Sequence, residues 1–272
     1  MAIIAKIQIQ QKNKSRYNIF LTKGQSVEYA LSVDEDLLLK HGLKKGLEID
    51  EDFLIQLIND DEKKKTYNLA INYLSYRIRS IEEMRQYLVK KEKEPQHIEE
   101  VIKQLINEKL LNDEEFAQAY IRSKQLTLMR GPLKLKQELK QKGLRDDTIE
   151  QALAQLEEGT QKEQIINWVE KQKNKKTSKM SMAGFKNKLS TQLMTKGYSR
   201  QVIVEAMNEV DFTADNEEEW DAIMIQGEKI RQKLKKKYTG WEFTQRLKQQ
   251  LYQKGFQMDL IEHYIENGES EE

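Results

Sequence analysis

The chain begins with a stretch in which apolar and polar residues alternate. Residues 3–9 carry isoleucine or alanine at every second position, which is the period of a half-buried strand. Residues 17–21 repeat the alternation after a turn, and residues 27–31 give a third short strand. Asp34 is then placed to cap a short helix. The pattern predicts a small antiparallel β-rich unit that occupies residues 1–62.

From Thr66 onward the apolar spacing is that of helices, and one template recurs in four copies. It consists of an apolar residue, a second one at offset +4, Lys at +7, usually Gly at +8, and apolar residues at +14 and +18. The copies begin at Met84, Leu135, Leu189 and Leu247. Apolar residues four apart share a helix face, and glycine can take the left-handed conformation that ends a helix. Each copy therefore predicts two helices joined at a cap, and a further amphipathic helix precedes each copy.

The whole pattern predicts a mainly α-helical protein, built as an elongated tandem array of four three-helix repeats behind the β-rich unit. The predicted repeats occupy residues 66–112, 113–159, 160–214 and 215–268. The charged run at 60–65 is interpreted as a solvated linker. Capping boxes are predicted at Ser80–Glu83, Thr160–Glu163 and Thr239–Glu242. Glu92 stands where the later copies have glycine, so the first cap is expected to differ.

Composition narrows the possible functions. Lys and Arg number 46 against 45 Asp and Glu, so the net charge is only +1 although charged residues make up 33% of the chain. The absence of cysteine excludes disulfides, thiolate nucleophiles and cysteine-bound zinc. No apolar stretch approaches the roughly 20 residues of a membrane span, and the first residues lack the order of a signal peptide. His41, His97 and His263 stand at no metal-ligand spacing. We therefore expect a cytoplasmic protein that is not an enzyme and has no cofactor or metal.

Charge is balanced in total but segregated along the chain. Residues 171–200 contain nine cations and no acid, and residues 201–221 contain eight acids and no cation. Residues 229–254 return to nine cations against one acid. A basic flank of this kind fits a polyanion or an acidic protein surface. The plainer interpretation is that the lysine-rich helices are solvated faces.

Three stretches of the sequence resemble one known family. Residues 76–88 are similar to its Arg-x-x-Ser-x-x-Glu-Leu helix start, residues 105–122 to the junction between its first two units, and residues 130–144 to its Gly-then-Lys-Gly unit. Together they resemble RecX, the regulatory-protein family of RecA recombinase. The resemblance implies a monomeric, non-enzymatic modulator that acts in DNA repair, homologous recombination and the SOS response. It also implies binding in the groove of the RecA–single-stranded-DNA filament, with inhibition of filament extension, ATPase activity and strand exchange.

The resemblance and the charge pattern together assign contacts with the filament or with DNA to cations of the helices. These cations are Arg77, Arg79, Arg122, Arg130, Lys134, Lys136, Lys140, Lys173, Lys175, Lys176, Lys186, Lys188, Arg231 and Lys235. The residues assigned to the fold instead are Phe116, Tyr120, Leu135, Leu139 and Gly143. Two other interpretations stay open. One is a direct, non-specific DNA-binding protein that tracks the phosphates of single-stranded or double-stranded DNA with a cationic ridge, and the other is an inert helical scaffold.

Overall fold

The N-terminal alternation folds into an antiparallel sheet of four strands in the order β3-β2-β1-β4. The strands are β1 Ala2–Ile9, β2 Arg16–Lys23, β3 Ser26–Asp34 and β4 Glu48–Ile49. The computed structural model describes residues 2–156, 158–177, 179–213 and 215–269. The two-residue β4 pairs with the start of β1 and is the strand that the sequence pattern did not predict.

One face of the sheet is apolar and is covered by helices. Ile4, Ile19 and Val33 come from three neighbouring strands and are fully buried in one cluster. The helices that follow the strands are α1 Glu35–Lys40 and α2 Glu51–Leu74. Leu57 of α2 joins the same cluster. Asp34 caps α1 through its side chain, as the sequence predicts.

The linker predicted at residues 60–65 is wrong, because these residues lie inside α2. Asp61 is only 3% exposed. Its carboxylate accepts a hydrogen bond from the Arg16 guanidinium at 2.8 Å and another from the backbone N–H of Asp34 at 3.2 Å. A buried carboxylate needs such partners. The charged run is therefore part of a helix that docks on the sheet, and only some of its side chains face solvent.

The later helices follow in four sets of three. The first set is α2 with α3 Ile81–Lys90 and α4 Pro95–Asn107, and the second is α5 Asp113–Leu128, α6 Pro132–Gln141 and α7 Asp146–Ala154. The third is α8 Glu158–Lys173, α9 Met182–Lys196 and α10 Arg200–Glu209, and the fourth is α11 Asn216–Lys235, α12 Gly240–Gln253 and α13 Met258–Glu269. Over the described ranges this makes thirteen helices and four strands. The predicted class, mainly α-helical with a β-rich N-terminal unit, is confirmed.

The chain divides into two compact units, which are Met1–Gln118 with Lys140–Thr148, and Ala119–Leu139 with Ile149–Glu272. In both units the template positions at offsets 0, +4 and +14 are buried. They are Met84, Leu88, Ile98, Leu135, Leu139, Ile149, Leu189, Leu193, Ile203, Leu247, Leu251 and Ile261. The apolar spacing in the sequence therefore marks core positions, and Leu135 and Leu139 serve the fold as predicted.

The predicted helix starts are correct only in part. Ser80 forms the complete capping box with Glu83. The box predicted at Thr160 is wrong, since α8 already begins at Glu158 and Thr160 lies in its first turn. Thr239 does precede α12 as its N-cap, but its side chain makes no capping hydrogen bond.

The middle helix of every set ends in a left-handed residue. The glycines at this position are Gly143, Gly197 and Gly255, with φ of 80°, 93° and 89°. Glu92 occupies the same template position with φ of 54°, so the expectation of a different first cap is wrong. A non-glycine residue in this conformation costs about 1–2 kcal/mol. The Glu92 side chain is exposed to solvent, so it does not clash with a neighbouring helix.

Candidate interaction surface

Six of the predicted contact cations are held by carboxylates. The pairs and their N–O distances are Arg77–Glu83 at 3.0 Å, Arg130–Glu138 at 3.4 Å, Lys136–Glu150 at 3.0 Å, Lys140–Asp146 at 2.8 Å, Lys173–Glu170 at 3.5 Å and Lys176–Glu218 at 2.9 Å. Exposed pairs contribute only about 0–1 kcal/mol, so an incoming anion can compete for most of these cations. Lys176 differs from the others because its side chain is only 8% exposed.

Arg79 has an aromatic environment. Its guanidinium carbon lies 3.9 Å from the centroid of the Tyr73 ring. Tyr73 in turn stacks on Tyr87, with ring centroids 3.8 Å apart and planes within 5°. The Nε atom of Arg79 is buried and has no hydrogen-bond partner among the described residues. Cation–π attraction in this stack therefore fixes the orientation of Arg79 before any partner binds.

Three of the predicted contact cations keep their charge open to solvent. They are Arg122, Lys175 and Lys188, all exposed and without an ion pair in the described ranges. Because no described carboxylate pairs with them, these three side chains can contact a partner's anionic groups without breaking a pair that the structure describes.

The remaining predicted contacts are spread over three helices. Lys134 of α6 donates to the side-chain oxygen of Gln137 at 3.2 Å. Lys186 of α9 lies 5.1 Å from the centroid of the Phe212 ring. On α11, Arg231 is half-buried and Lys235 is exposed. Nine of the fourteen predicted contact cations lie on helices, whereas Arg77, Arg79, Arg130, Lys175 and Lys176 lie in the segments between helices. The sequence did not separate the paired cations from the open ones.

A repeated contact joins the start of one middle helix to the end of the next, and sequence reasoning missed it. We call each such contact between consecutive repeats a repeat junction, and there are three of them in the described ranges. In each, a backbone carbonyl at the end of one middle helix accepts a hydrogen bond from a group at the start of the preceding middle helix. The donor–acceptor pairs are Ser80 Oγ to Lys142 at 2.8 Å, Gly131 N–H to Lys196 at 2.9 Å, and Ser181 Oγ to Lys254 at 2.7 Å. Each acceptor is the backbone carbonyl of the lysine in a template Lys-Gly pair, so the recurring pair marks the position of this contact in the sequence.

No unpaired N–H is left at the first position of the middle helix in any of the three repeat junctions. The backbone N–H of Ile81 donates to the Asp113 carboxylate at 2.9 Å, and that of Met182 donates to Glu219. The junction between Gly131 and Lys196 has Pro132 at this position, which carries no N–H. Burial raises the pKa of Asp113, against the lowering effect of the hydrogen bond from Ile81.

Space as well as conformation requires glycine at the repeat junctions. A Cβ on Gly143 would lie 2.3 Å from the Cβ of Glu82, and one on Gly197 would lie 2.4 Å from the Cβ of Lys134. Both separations are far inside van der Waals contact, about 3.5–4.0 Å between carbon atoms. Gly143 therefore serves the fold, as the sequence predicts.

Glu83 links the first repeat junction to the predicted contact residue Arg77. Its Oε1 lies 3.0 Å from Arg77 and 2.6 Å from the Lys142 Nζ. Burial alone would raise the pKa of Glu83, but the hydrogen bonds from Arg77 and Lys142 outweigh it and hold the pKa below its usual value. Arg77 is therefore also a structural residue.

Histidines and carboxylates form no metal-ligand group of three or more within the described ranges. His41 bonds the Asp60 carboxylate at 2.8 Å, and its ring packs against the edge of Phe53. None of the described helices is both long and apolar enough to cross a membrane.

The chain matches a set of family models and curated proteins that share one name. The models are the regulatory protein RecX N-terminal domain over residues 2–50 and the first, second and third RecX three-helix domains over residues 67–105, 112–153 and 217–265. Regulatory protein RecX of Halalkalibacterium halodurans is 48% identical over 97% of this chain and 99% of that protein. The chain belongs to the RecX family.

Other RecX proteins extend this similarity. Regulatory protein RecX of Bacillus cereus is 40% identical over 100% of both chains. A crystal structure of regulatory protein RecX superposes with a TM-score of 0.63 at 29% identity, covering 77% of this chain and 100% of that one. RecX from Lactobacillus salivarius gives a TM-score of 0.53 at 34% identity, covering 57% and 99%.

The matched RecX domains correspond to sets of helices in the structure. The first, second and third three-helix domains fall on α2–α4, α5–α7 and α11–α13. Helices α8–α10 lie between the second and third matched domains. They contain the same buried template positions, since Leu189, Leu193 and Ile203 form one hydrophobic cluster.

Proposed function

We propose that this chain is a non-enzymatic regulator of RecA-type recombinase. It binds in the groove of the recombinase–single-stranded-DNA filament and inhibits filament extension, ATP hydrolysis and strand exchange. The observation that carries the proposal is the similarity over 97% of the chain to a protein called Regulatory protein RecX, a name that designates a regulator of RecA. In this proposal the protein is cytoplasmic and monomeric, and its partners are the recombinase and DNA.

The exposed cations of the three-helix repeats support a polyanionic or acidic partner. Arg122, Lys175 and Lys188 are exposed cations without an offsetting carboxylate in the described ranges. Exposed pairs such as Lys136–Glu150 can exchange their carboxylate for a partner's anion at a cost of about 0–1 kcal/mol. Binding through such cations releases counterions and is therefore weakened by salt.

Repetition supports a filament as the partner. A filament presents the same subunit many times, and this chain carries its three-helix pattern in four sets. Contacts that are individually weak add through effective concentration when they are linked on one chain. Four modest contacts can therefore hold the chain on a filament.

The direct test is to add the purified chain to preformed recombinase filaments and to follow ATP hydrolysis and strand exchange. We expect both to fall at stoichiometric amounts of the chain. Adding it during filament assembly, with filament length measured by light scattering, separates blocked extension from disassembly. The proposal is refuted if stoichiometric chain leaves both activities unchanged.

Direct DNA binding is the second candidate, favoured by the same three open cations. It predicts tight binding to single-stranded or double-stranded DNA without recombinase. The logarithm of affinity would then fall with the logarithm of salt by about 0.7 per phosphate contacted on a single strand. Affinity for DNA that is steeply salt-dependent and unchanged by recombinase would favour this candidate.

A further inference from the structure

In three of the four repeats an ion pair crosses the groove between the second and third helices. The cation follows the first template residue and the carboxylate follows the residue at +14. The pairs and their N–O distances are Arg85–Glu99 at 2.7 Å, Lys136–Glu150 at 3.0 Å and Lys248–Glu262 at 3.1 Å. These pairs form a bridge over the apolar side chains beneath.

The third repeat has no such bridge. The equivalent positions are Ser190 on α9 and Val204 on α10, and neither side chain can form an ion pair. Ser190 donates instead to the backbone carbonyl of Lys186 in its own helix. The result is an open groove of about 550 Å³ between α9 and α10. We call it the α9–α10 groove.

Two apolar side chains are accessible in the α9–α10 groove. Met194 and Val204 are each 49% exposed. Ile203 and Met207 lie beneath them in the lining, and both are buried in the core of the third repeat. An apolar side chain from a partner would bury Met194 and Val204 and gain about 25 cal/mol for each Å² removed from water.

Both charged side chains that line the α9–α10 groove are cations. They are Lys186 and Arg200, and none of the described lining residues is a carboxylate. Of the two acids of α10, Glu205 accepts a hydrogen bond from Gln201 and Glu209 pairs with Lys162. A ligand for this groove therefore combines an apolar anchor with negative charge.

A peptide fits this description better than DNA. Bases bind single-strand sites by stacking on aromatic rings. The apolar residues that line the groove are aliphatic or methionine, the others are polar or cationic, and none of the described lining residues is aromatic. We propose that the α9–α10 groove docks an acidic peptide segment of the recombinase that inserts one apolar side chain between Met194 and Val204. This inference rests on the proposed function and assigns to one repeat a specific contact with the filament protein.

Rebuilding the missing bridge tests the proposal without removing any core residue. The double substitution Ser190→Lys with Val204→Glu recreates the cation–carboxylate pair found in the other repeats and should close the groove. We expect its affinity for the recombinase–single-stranded-DNA filament to fall at least about tenfold, the effect of losing one apolar anchor. Its thermal unfolding should match that of the unsubstituted chain, because an exposed pair changes stability by only about 0–1 kcal/mol.

The matched control exchanges an existing bridge. Lys248→Glu with Glu262→Lys changes the same two template positions in the fourth repeat and keeps a pair and the net charge. Its affinity for the filament should be unchanged. Comparable weakening in both double variants would overturn the proposal, since the loss would then follow from altered charge rather than from the closed groove.

Photocrosslinking identifies what occupies the groove. The chain has no cysteine, so Thr191→Cys at the rim can carry the only benzophenone label. Gln86→Cys is the control, because it occupies the same template position in the first repeat. We expect Thr191→Cys to crosslink to an acidic segment of the recombinase and Gln86→Cys not to crosslink to that segment.

The outcomes separate this inference from the function on which it rests. If the unsubstituted chain inhibits the filament but the closed variant binds equally well, the groove proposal is wrong and the proposed function stands. A crosslink from Thr191→Cys to DNA also overturns it. If the unsubstituted chain does not bind filaments at all, the proposed function fails and this inference fails with it.

Discussion

The Oγ of Ser80 donates a hydrogen bond to the backbone carbonyl of Lys142, 2.8 Å away. The same oxygen accepts the N–H of Glu83 at 3.1 Å. One hydroxyl therefore satisfies an unpaired N–H at the start of α3 and an unpaired carbonyl at the end of α6. Ser181 makes the same two kinds of contact with Gly184 and Lys254.

Removing this hydroxyl should weaken the repeat junction more than an ordinary cap. Ser80→Ala and Ser181→Ala each lose a capping bond, worth about 1 kcal/mol, and leave a carbonyl without its partner, which adds about 1–2 kcal/mol. We expect each variant to lose about 2–3 kcal/mol in urea unfolding followed by circular dichroism.

Ser199→Ala is the matched control for both serine variants. Ser199 caps α10 by accepting the N–H of Val202 at 3.3 Å, but it lies at no repeat junction. Its loss should therefore be about 1 kcal/mol. Equal losses at Ser80, Ser181 and Ser199 would show that the junction bonds add nothing to stability.

Substitutions at template offset +8 should change stability in opposite directions, because replacing a glycine adds strain and replacing Glu92 by glycine removes it. Gly197→Ala should destabilise by more than about 2 kcal/mol, because its φ is +93° and its Cβ would lie 2.4 Å from Lys134. Glu92→Gly should stabilise by about 1 kcal/mol, because it relieves a left-handed conformation at an exposed side chain. Urea midpoints measure both changes. A Gly197→Ala variant that is as stable as the unsubstituted chain would contradict the predicted clash with Lys134. A destabilised Glu92→Gly variant would contradict the predicted cost of the left-handed conformation.

Sequence periodicity predicts the helices and strands and their buried faces, but it does not predict contacts between residues that are far apart in the sequence. Residues 3–9 and the template positions repeat at spacings of two and about four residues, so each element shows its own buried face. The solvated position predicted for Asp61 is wrong because its partner Arg16 is 45 residues away. The Ser80–Lys142 bond spans 62 residues. The lysine and glycine of that junction were visible in the sequence as a recurring pair, but their contact with a serine of another repeat was not.

The open cations could not be separated from the paired ones for the same reason. Lys136 and Lys188 look alike in the sequence, since both stand on the middle helix of a repeat. Lys136 meets Glu150 across the helix pair at 3.0 Å, whereas Lys188 is exposed and has no ion pair in the described ranges. Whether a lysine forms an ion pair depends on the residue that faces it on the neighbouring helix, which the local sequence does not show.

Acid should weaken the first repeat junction through Glu83. Its pKa in the folded chain is below the ordinary value of 4.5, because Arg77 and Lys142 outweigh the effect of burial. The unfolded chain therefore binds this proton more readily, and the stability that Glu83 contributes is complete above its unfolded pKa and is lost as the pH falls through the folded pKa. Glu83→Gln should be less stable at pH 7 and should lose less stability than the unsubstituted chain on acidification. Urea midpoints between pH 7 and pH 3 test this.

Asp113→Asn provides a control of opposite sign for the pH series. Burial raises the pKa of Asp113 above 3.8, so its contribution to stability is present below the unfolded pKa and is lost as the pH rises through the folded pKa. Asparagine can still accept the N–H of Ile81. This variant should keep or slightly gain stability at pH 7. A loss as large as that of Glu83→Gln would contradict the sign of this shift.

The three open cations should dominate the salt dependence of binding to the recombinase filament or to free DNA. Replacing Arg122, Lys175 and Lys188 by Gln removes charges that no carboxylate offsets in the described ranges. If each contacts a phosphate of single-stranded DNA, the slope of log affinity against log salt should fall by about 2.

The matched set is Arg77→Gln, Lys136→Gln and Lys140→Gln, whose charges are already held by Glu83, Glu150 and Asp146. This set should change the slope less, because each contact must first break a pair. Fluorescence anisotropy on filaments and on free DNA measures both sets. Equal slope changes would mean that the pairs open freely on binding. No change in either set would show that these six cations do not contact the partner.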